Sequence, residues 1–439
     1  MTQSNKIKVR IFYITTLAVV ALIGIDLEYI QRQLIIPKGM NNISKVLSLI
    51  FILALPFVLN KIFTMLNSSR MIIFFVTWVI VITAISFVVT KILGYQPRFS
   101  NEFRTLVQVG GFVIGIVLGY YICKLMEEDP LRLTKVIHFS MLLVFIGIFF
   151  QFFGKFFFET SARYQGRLFG LSGEPKFLGM YLVPYMIALV VSTNRYSLGK
   201  ILVLTSCLIA LTFTTSSTAF ISLIFMIGLY AKIYGLTKVV TIKYFLLILL
   251  LTFIIILMPD YYDYKKIIFG RIYDYFFGMY DIDMQEQFTF PIIGTVTVEA
   301  NEFPVLLYFR DNPFFIFTGI GLGQESIFSF RYIDETIGGS GFLKPGRVGY
   351  ITPNSSLIQS IANYGLIMVT ALTIWSIKLA TKINKYLKGN KKFIFYFFFS
   401  HFILHLLIFK TKIPITTSMV VLLSFAISFY RENYSINKK

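Results

Sequence analysis

Long apolar stretches separated by short polar segments recur along almost the whole chain of 439 residues. A helix needs about 20 consecutive apolar residues to cross the hydrocarbon core of a bilayer. By that measure the pattern predicts an all-α polytopic membrane protein with about twelve membrane-spanning helices. The predicted spans are Ile11–Ile25, Val46–Leu66, Met71–Leu93, Leu106–Met126, Leu133–Phe157, Phe177–Thr193, Leu198–Phe213, Thr218–Tyr234, Val240–Met258, Asn354–Lys378, Phe393–Phe409 and Ile413–Tyr430.

Composition and charge agree with this prediction. Hydrophobic residues make up 56% of the chain, the mean hydropathy is +0.74, and only 14% of the residues are charged. Soluble domains carry about 25% charged residues, so a soluble globule is excluded. The formal net charge of +20 would suggest nucleic-acid binding in a soluble protein. In a membrane protein the positive-inside rule explains the excess, and no nucleic-acid partner is expected.

The distribution of Lys and Arg predicts which helix ends face the cytoplasm. With the N-terminus inside, the cytoplasmic segments hold 22 basic residues and the short outer loops hold 12. Because basic residues concentrate in cytoplasmic loops, both termini are predicted to be cytoplasmic. Asp26 and Glu28 stand where a signal peptide would have its small-residue cleavage site, so the first apolar stretch is predicted to be a spanning helix.

The predicted topology has three parts. Residues 1–258 contain nine helices and an outer loop rich in Arg and Gly at 155–176, residues 259–352 form one large extracytoplasmic loop, and residues 353–439 contain three helices and a cytoplasmic tail. The large loop holds twelve of the 21 acidic residues, and its half-apolar pieces Ile267–Met279 and Val305–Phe309 predict helices that lie against the membrane. Tyr262, in a cluster of tyrosines, could stack on a sugar ring or anchor the loop at the membrane interface.

The outer loop at 155–176 carries a candidate anion site. Arg163 and Arg167 are four residues apart, so on a helix both guanidiniums would lie on one face and could receive a phosphate or diphosphate. Alternatively, both extend to lipid headgroups. Glu174 precedes a proline that starts a helix, where a carboxylate serves either as a general base or as a charge that complements the helix dipole. Both interpretations stay open for each residue.

A second candidate site closes the large loop. Arg310 precedes a glycine-rich stretch that contains Gly319 and Gly321, and Asn354 opens the next predicted helix. The glycines lack the strand–helix context of a nucleotide-binding loop, so the pattern favours a lipid or sugar site at the mouth of the helical bundle. The same loop carries further cations, among them Arg271 and Arg347.

Ionisable residues are almost absent from the middle of the predicted helices, which argues against a proton- or ion-coupled transporter. The exceptions are His138 near a helix end and the pair His401 and His405. The i, i+4 spacing of this pair places both on one helix face, where they could bind a metal or form hydrogen bonds to neighbouring helices. The sequence offers no evident third ligand, so we predict neither a metal nor another cofactor.

In their order along the chain, these motifs resemble those of the Wzy-type O-antigen and capsular polysaccharide polymerases, which are related to the O-antigen ligases. The shared features are the Arg-rich loop with a Gly-Glu-Pro turn at 173–175, the Ser/Thr turn at 214–218, and a long outer loop with an Asp-Asn-Pro…Gly-Ile-Gly stretch. Pro-Asn at 353–354 then opens the next helix. The resemblance covers residues 155–366 and the overall topology.

The resemblance implies a glycosyltransferase of GT-C-like architecture at the periplasmic face of the bacterial inner membrane. Such an enzyme transfers a polysaccharide chain from undecaprenyl diphosphate to a hydroxyl of the next lipid-linked repeat unit, and a chain-length regulator is an expected partner. Arg167 and Arg310 would stabilise the departing diphosphate without a metal, and Glu174 would act on the acceptor hydroxyl. The residues implied to bind substrate are Arg163, Arg271, Arg347, Gly319, Gly321, Asn354 and Tyr262.

Some residues depart from the family pattern. The ligases carry a histidine before the asparagine that opens the helix after the large loop, whereas Pro353 holds that position here, which counts against ligase chemistry. Arg310 has the spacing of ten residues to a glycine that some polymerases show, while Arg163 is followed by nine residues before its glycine. An O-antigen ligase and a flippase or permease for lipid-linked oligosaccharide stay as alternatives.

Overall fold

The computed structural model of the chain describes residues 69–92, 99–153, 167–172, 174–192, 197–235, 285–290, 294–299, 302–325, 353, 355–410 and 412–436. Within these ranges the chain is mainly helical. In chain order the helices are α1 (Arg70–Ile92), α2 (Phe99–Glu128), α3 (Pro130–Phe153), α4 (Pro175–Ser192), α5 (Leu198–Thr214), α6 (Ser217–Tyr234), α7 (Phe303–Asp311), α8 (Phe314–Thr318), α9 (Ser356–Ile383), α10 (Gly389–Leu407) and α11 (Ile413–Ile436).

Six of the described helices are long and apolar enough to cross a membrane, namely α1, α2, α3, α4, α6 and α9. The protein is therefore a helical membrane protein, as the hydrophobic pattern predicts. Nine of the predicted spans overlap α1 to α6 and α9 to α11. The other three, Ile11–Ile25, Val46–Leu66 and Val240–Met258, lie outside the described residues.

Local sequence signals explain several helix ends. The hydroxyl of Ser197 accepts a hydrogen bond from the backbone N–H of Lys200 at the start of α5, and Ser355 does the same for Ile358 at the start of α9. Such N-caps satisfy donors that have no partner inside the helix. Pro175 opens α4 at the first helical position, where its missing N–H leaves no hydrogen bond unmade.

Helix α10 lies at the centre of the described bundle. Every residue from Phe393 to Leu406 is buried, and α10 packs against α3, α4, α9 and α11. A helix that is apolar on all sides is expected in such a position, because no face of it has to meet water.

Helices α2 and α11 form a close pair through small residues. Gly111, Gly115 and Gly119 of α2 all face α11, and a Cβ atom on Gly115 would lie 2.6 Å from the carbonyl oxygen of Pro414. Small residues at four-residue spacing let two membrane helices bring their backbones together. This contact joins the last described helix to the first half of the bundle.

The predicted large loop at 259–352 is described in part. Helix α7 contains the predicted helical segment Val305–Phe309, whereas Ile267–Met279 lies outside the described residues. The loop also holds two strands that the sequence pattern did not predict, β1 (Gln285–Phe290) and β2 (Gly294–Glu299). They pair antiparallel, with Gln285 opposite Glu299.

Candidate functional site

A short segment after α3, residues 167–172, is fixed by one glutamine. The Nε2 atom of Gln151, in the last turn of α3, donates to the carbonyl oxygen of Arg167 at 3.0 Å. Its Oε1 atom accepts from the backbone N–H groups of Phe169 at 2.9 Å and Gly170 at 2.6 Å. One side chain thus satisfies three backbone groups of a segment that has no regular secondary structure until residue 170.

The same segment donates hydrogen bonds to the end of α5. The Nε atom of Arg167 donates to the carbonyl oxygen of Thr214 at 3.1 Å and to the hydroxyl of Thr215 at 2.8 Å, and its Nη2 atom donates to the carbonyl oxygen of Thr215 at 3.2 Å. The Leu168 N–H donates to the Phe213 carbonyl oxygen at 2.9 Å. The last carbonyls of a helix lack partners within it and carry partial negative charge. The Arg/Gly loop and the Ser/Thr turn, separate motifs in the sequence, therefore meet in space.

Glu174 lies directly before α4. Its carboxylate pairs with the Nζ atom of Lys176 at 3.1 Å, and about one third of each side chain (35%) is exposed. Its carbonyl oxygen accepts from the N–H groups of Phe177 at 3.0 Å and Leu178 at 3.2 Å, which starts the helix. The carboxylate stands at the positive end of the α4 dipole and still contacts solvent. This position fits both interpretations of Glu174.

Two lysines flank the ring of Phe177. The Nζ atom of Lys176 lies 5.3 Å from the ring centroid, and that of Lys412, in the turn between α10 and α11, lies 5.2 Å from it. Both distances are within cation–π range. The start of α4 and the turn between α10 and α11 therefore come together at Phe177, and the Lys176 ammonium also pairs with Glu174. The contact between Lys412 and Phe177 could not be predicted from the sequence, because it depends on how the helices pack.

Arg310 lies in the last turn of α7. Half of its side chain is exposed, and its Nε atom donates to the Oδ1 atom of the adjacent Asp311 at 3.0 Å. The bonds described for Arg167 and for Arg310 thus involve different elements, α5 for the first and the end of α7 for the second.

The glycine-rich stretch after α8 packs between spanning helices. Gly321 has a φ of 95°, and a Cβ atom on it would lie 2.7 Å from the Cα atom of Thr83 in α1. The Leu322 N–H donates to the hydroxyl of Thr83 at 3.1 Å. Thr83 is nine residues from the end of α1, about 13 Å along the helix axis. Part of the predicted outer loop therefore enters the bundle rather than lying above it.

Helix α9 breaks where this stretch meets it. Gly365 has a φ of 81° and a ψ of 154° inside an otherwise helical segment. Gly319 lies against the break, since a Cβ atom on it would be 2.6 Å from the backbone nitrogen of Gly365. Close packing alone therefore explains the glycines at 319 and 321, and the substrate-binding role predicted for Gly319 and Gly321 stays a prediction.

Carbonyl groups released by the break find partners outside α9. The Ala362 carbonyl oxygen accepts from the N–H groups of Ile320 at 2.7 Å and Gly321 at 3.2 Å. The indole Nε1 atom of Trp78 in α1 donates to the Tyr364 carbonyl oxygen at 2.8 Å. Non-helical backbone at membrane depth is stable only when its polar groups are satisfied inside the protein, and these bonds meet part of that demand.

Two buried carboxylates join the loop to the helices. The Oε1 atom of Glu302 accepts from the N–H of Ser355 at the start of α9 at 2.8 Å, where a negative charge is favoured. The Oε1 atom of Glu325 accepts from the Nε2 atom of Gln108 in α2 at 3.4 Å. Both glutamates are buried. The sequence pattern did not single them out among the acidic residues of the loop.

The histidine pair in α10 is buried. The rings of His401 and His405 stack with centroids 6.0 Å apart. In the part of the chain that the structure describes, no group of three His, Cys, Asp or Glu side chains is placed to hold a metal ion. His138 contacts the hydroxyl of Tyr185 through Nδ1 at 2.7 Å.

Several predicted site residues cannot be placed in this geometry. Arg163, Arg271, Arg347, Asn354 and Tyr262 lie outside the described residues. Of the residues predicted for catalysis, Arg167 and Glu174 lie on one short segment, where Arg167 contacts the end of α5 and Glu174 precedes the start of α4. Arg310 belongs to the loop.

Comparison of the chain with protein-family models, with curated proteins and with solved structures gave no match.

Proposed function

We propose that the protein polymerises oligosaccharide repeat units carried on undecaprenyl diphosphate into O-antigen or capsular polysaccharide. The observation that carries the proposal is the position of Arg167, which is bonded to the Ser/Thr turn after α5 and is followed seven residues later by Glu174. The Arg/Gly loop that contains Arg167 and Glu174 and the Ser/Thr turn at 214–218 are two of the motifs on which the resemblance to the polymerases depends. A fixed guanidinium and a partly exposed carboxylate on one segment suit a reaction in which a negatively charged diphosphate leaves a sugar.

The proposal includes a membrane topology. The protein would have about twelve spans, with both termini in the cytoplasm of a bacterium and the 259–352 loop in the periplasm. Support comes from the contacts at one end of the bundle, where Arg167 meets Thr215 and Lys412 meets Phe177. The contacts agree with the predicted order of spans, which puts all four residues at one face of the membrane, and the positive-inside rule assigns that face to the outer side.

The reaction is a glycosyl transfer. A hydroxyl oxygen of the acceptor repeat attacks the anomeric carbon of the donor chain, a new glycosidic bond forms, and the bond from that carbon to the diphosphate oxygen breaks. The acceptor proton passes to Glu174, and the electron pair leaves with undecaprenyl diphosphate. Arg167, Lys176 and Lys412 supply positive charge at that end of the bundle, and cations already fixed in place stabilise a developing diphosphate charge without reorganisation.

Extension of a lipid-linked repeat by the purified full chain tests the proposal. Wild-type protein should convert single repeats to a ladder of longer chains. Arg167→Ala should abolish the ladder, and Glu174→Gln should slow its formation by about 100-fold or more. Arg132→Ala is the matched control, because Arg132 lies at the other end of α3 and pairs with Asp129 at 3.1 Å. A wild-type protein that leaves single repeats unextended, although it is folded and the substrate is intact, would refute polymerase activity.

One observation favours the alternative of a transporter for lipid-linked oligosaccharide. Helix α9 is discontinuous at Gly365 and is packed against an inserted glycine-rich segment, and broken helices of this kind build the substrate sites of many transporters. Vesicles that contain the pure protein distinguish the two functions. Movement of a labelled repeat across the bilayer without elongation would support the transporter, and elongation at one face would support the polymerase.

A further inference from the structure

The first half of α9 turns a polar face toward α10. The hydroxyl of Ser356 donates to the carbonyl oxygen of His405, and the hydroxyl of Ser360 donates to the carbonyl oxygen of Leu406 at 2.8 Å. Both acceptors are in the last turn of α10, so these bonds fix which face of α9 meets that helix. Residues three and four positions further along α9 share the same face.

Gln359 and Asn363 are the other polar residues of this face. Asn363 is fully buried and Gln359 is 4% exposed. Among the described residues, neither the Oδ1 nor the Nδ2 atom of Asn363 has a hydrogen-bond partner, and the Oε1 atom of Gln359 has none. A buried polar atom without a partner costs about 1–3 kcal/mol. Leucine would fill either position without that cost, so the two carboxamides need an explanation other than folding stability.

Polar groups that a protein keeps at the expense of stability commonly serve a function. The second relevant observation is the break at Gly365, two residues after Asn363. The break removes the intrahelical bonds that would tie the two halves of α9 together. The first half of α9 is held instead by the bonds of Ser356 and Ser360 to α10 and by the bonds that the Ala362 and Tyr364 carbonyls accept. Asn363 lies seven residues into α9, about 10 Å below the start of the helix.

We propose that Gln359 and Asn363 form a binding site for sugar hydroxyl groups of the lipid-linked saccharide. The unsatisfied atoms are two carboxamide oxygens, which accept, and one amide nitrogen, which donates. A hydroxyl both donates and accepts, so vicinal hydroxyls of a sugar match this set. A cation would be repelled by the Nδ2 hydrogens, and a phosphate would meet two acceptor oxygens. The site rests on the proposed function in one respect, namely that the substrate is a lipid-linked saccharide.

Two probes separate recognition of the sugar from recognition of the lipid diphosphate. The first is lipid-linked oligosaccharide extracted from native membranes, and the second is undecaprenyl diphosphate without sugar. Binding of each to detergent-purified full chain is measured for wild type, Asn363→Leu and Gln359→Leu. Ser424→Ala is the matched control, because the buried Ser424 hydroxyl in α11 also lacks a partner within the described residues but lies far along a different helix.

The proposal makes a paired expectation. Asn363→Leu should weaken binding of the oligosaccharide-bearing lipid about tenfold, the loss of one to two hydrogen bonds, and should leave binding of bare undecaprenyl diphosphate unchanged. The same variant without ligand should unfold at a higher temperature than wild type, because a buried orphan group is removed. Ser424→Ala should share the higher unfolding temperature and bind both lipids as wild type does.

Three results would overturn the site. The first is equal affinity of the wild type for both lipids, and the second is equal weakening of the binding of both lipids by Asn363→Leu. The third is a lower unfolding temperature of the Asn363→Leu variant without ligand, which would mean that Asn363 already has a partner in the protein. These outcomes are distinct from failure of the proposed function. A wild type that binds the oligosaccharide selectively but never extends it would refute polymerisation and keep the site.

Discussion

Thr215 ends α5 with a left-handed φ of 46°, and Arg167 donates to both its hydroxyl and its carbonyl oxygen. Among the described residues Thr215 is the sole non-glycine with positive φ. A β-branched residue in this conformation is strained by about 1–3 kcal/mol. The bonds from Arg167 offset that strain, so the arginine has a structural role in addition to the proposed catalytic one.

Arg167→Ala should therefore have two effects. Loss of charge-assisted bonds to the end of α5 should lower the free energy of unfolding by about 1.5–3 kcal/mol, and loss of the fixed cation should abolish polymer formation. Arg167→Lys keeps the charge but not the planar geometry, so it should recover part of the stability and little of the activity. Thermal unfolding and a polysaccharide gel from the same preparation measure both effects.

The pair of variants separates the two roles of Arg167. If Arg167→Lys restored stability and full-length polymer together, the arginine would be structural and the catalytic assignment would be wrong. Unchanged stability in Arg167→Ala would instead contradict the contact with Thr215.

Arg310→Ala should affect activity alone. The side chain is half exposed and pairs with its neighbour Asp311, and exposed ion pairs contribute between zero and about 1 kcal/mol. The unfolding temperature should match wild type, whereas chain extension should be lost if Arg310 binds the diphosphate. Full-length polymer from the variant would remove Arg310 from the site.

Glu174→Gln distinguishes the two interpretations of the carboxylate. Glutamine keeps the size and the hydrogen-bonding capacity of the side chain but removes its charge and its basicity. Because the bond to Lys176 is partly exposed, stability should change by less than about 1 kcal/mol. Transfer should slow by about 100-fold or more if Glu174 is the general base. A variant that loses stability but keeps its rate would show that the helix dipole alone explains the residue.

Gly321→Ala should destabilise the bundle. The residue has a φ of 95°, and a Cβ atom would lie 2.7 Å from the backbone of Thr83, so the substitution should cost about 2 kcal/mol or more. Gly228→Ala is the matched control, because a Cβ atom there meets nothing within 4 Å. Unfolding temperatures in one detergent compare them, and equal values would contradict the close packing of Gly321 against α1.

Much of the helical architecture could be predicted from the sequence. The lengths of the hydrophobic stretches predicted α1 and α4 as spanning helices, and the apolar composition of α10 matches its central position. The partners of individual side chains could not be predicted. Arg167 was a candidate for its charge, but its contact with Thr215 depends on how α5 packs, 48 residues further along the chain.

The insertion of the glycine-rich stretch into the bundle also escaped the sequence pattern. Gly319 and Gly321 look like a flexible ligand loop when only spacing is considered, because glycine serves loops and close packing equally well. The signal in the sequence was a glycine at 365 within an otherwise continuous helical pattern. Gly365 can be interpreted as a break in the helix only once the structure shows Gly319 lying against it.

The hydrogen bond from Trp78 to the Tyr364 carbonyl gives the protein a built-in spectroscopic reporter. The chain has two tryptophans, Trp78 and Trp375, and only the first donates its indole N–H to the break in α9. In a Trp375→Phe background, the emission of the remaining indole would follow the polarity at that carbonyl. Fluorescence could then time any rearrangement of α9 in an unlabelled protein, during the same turnover in which the product is made.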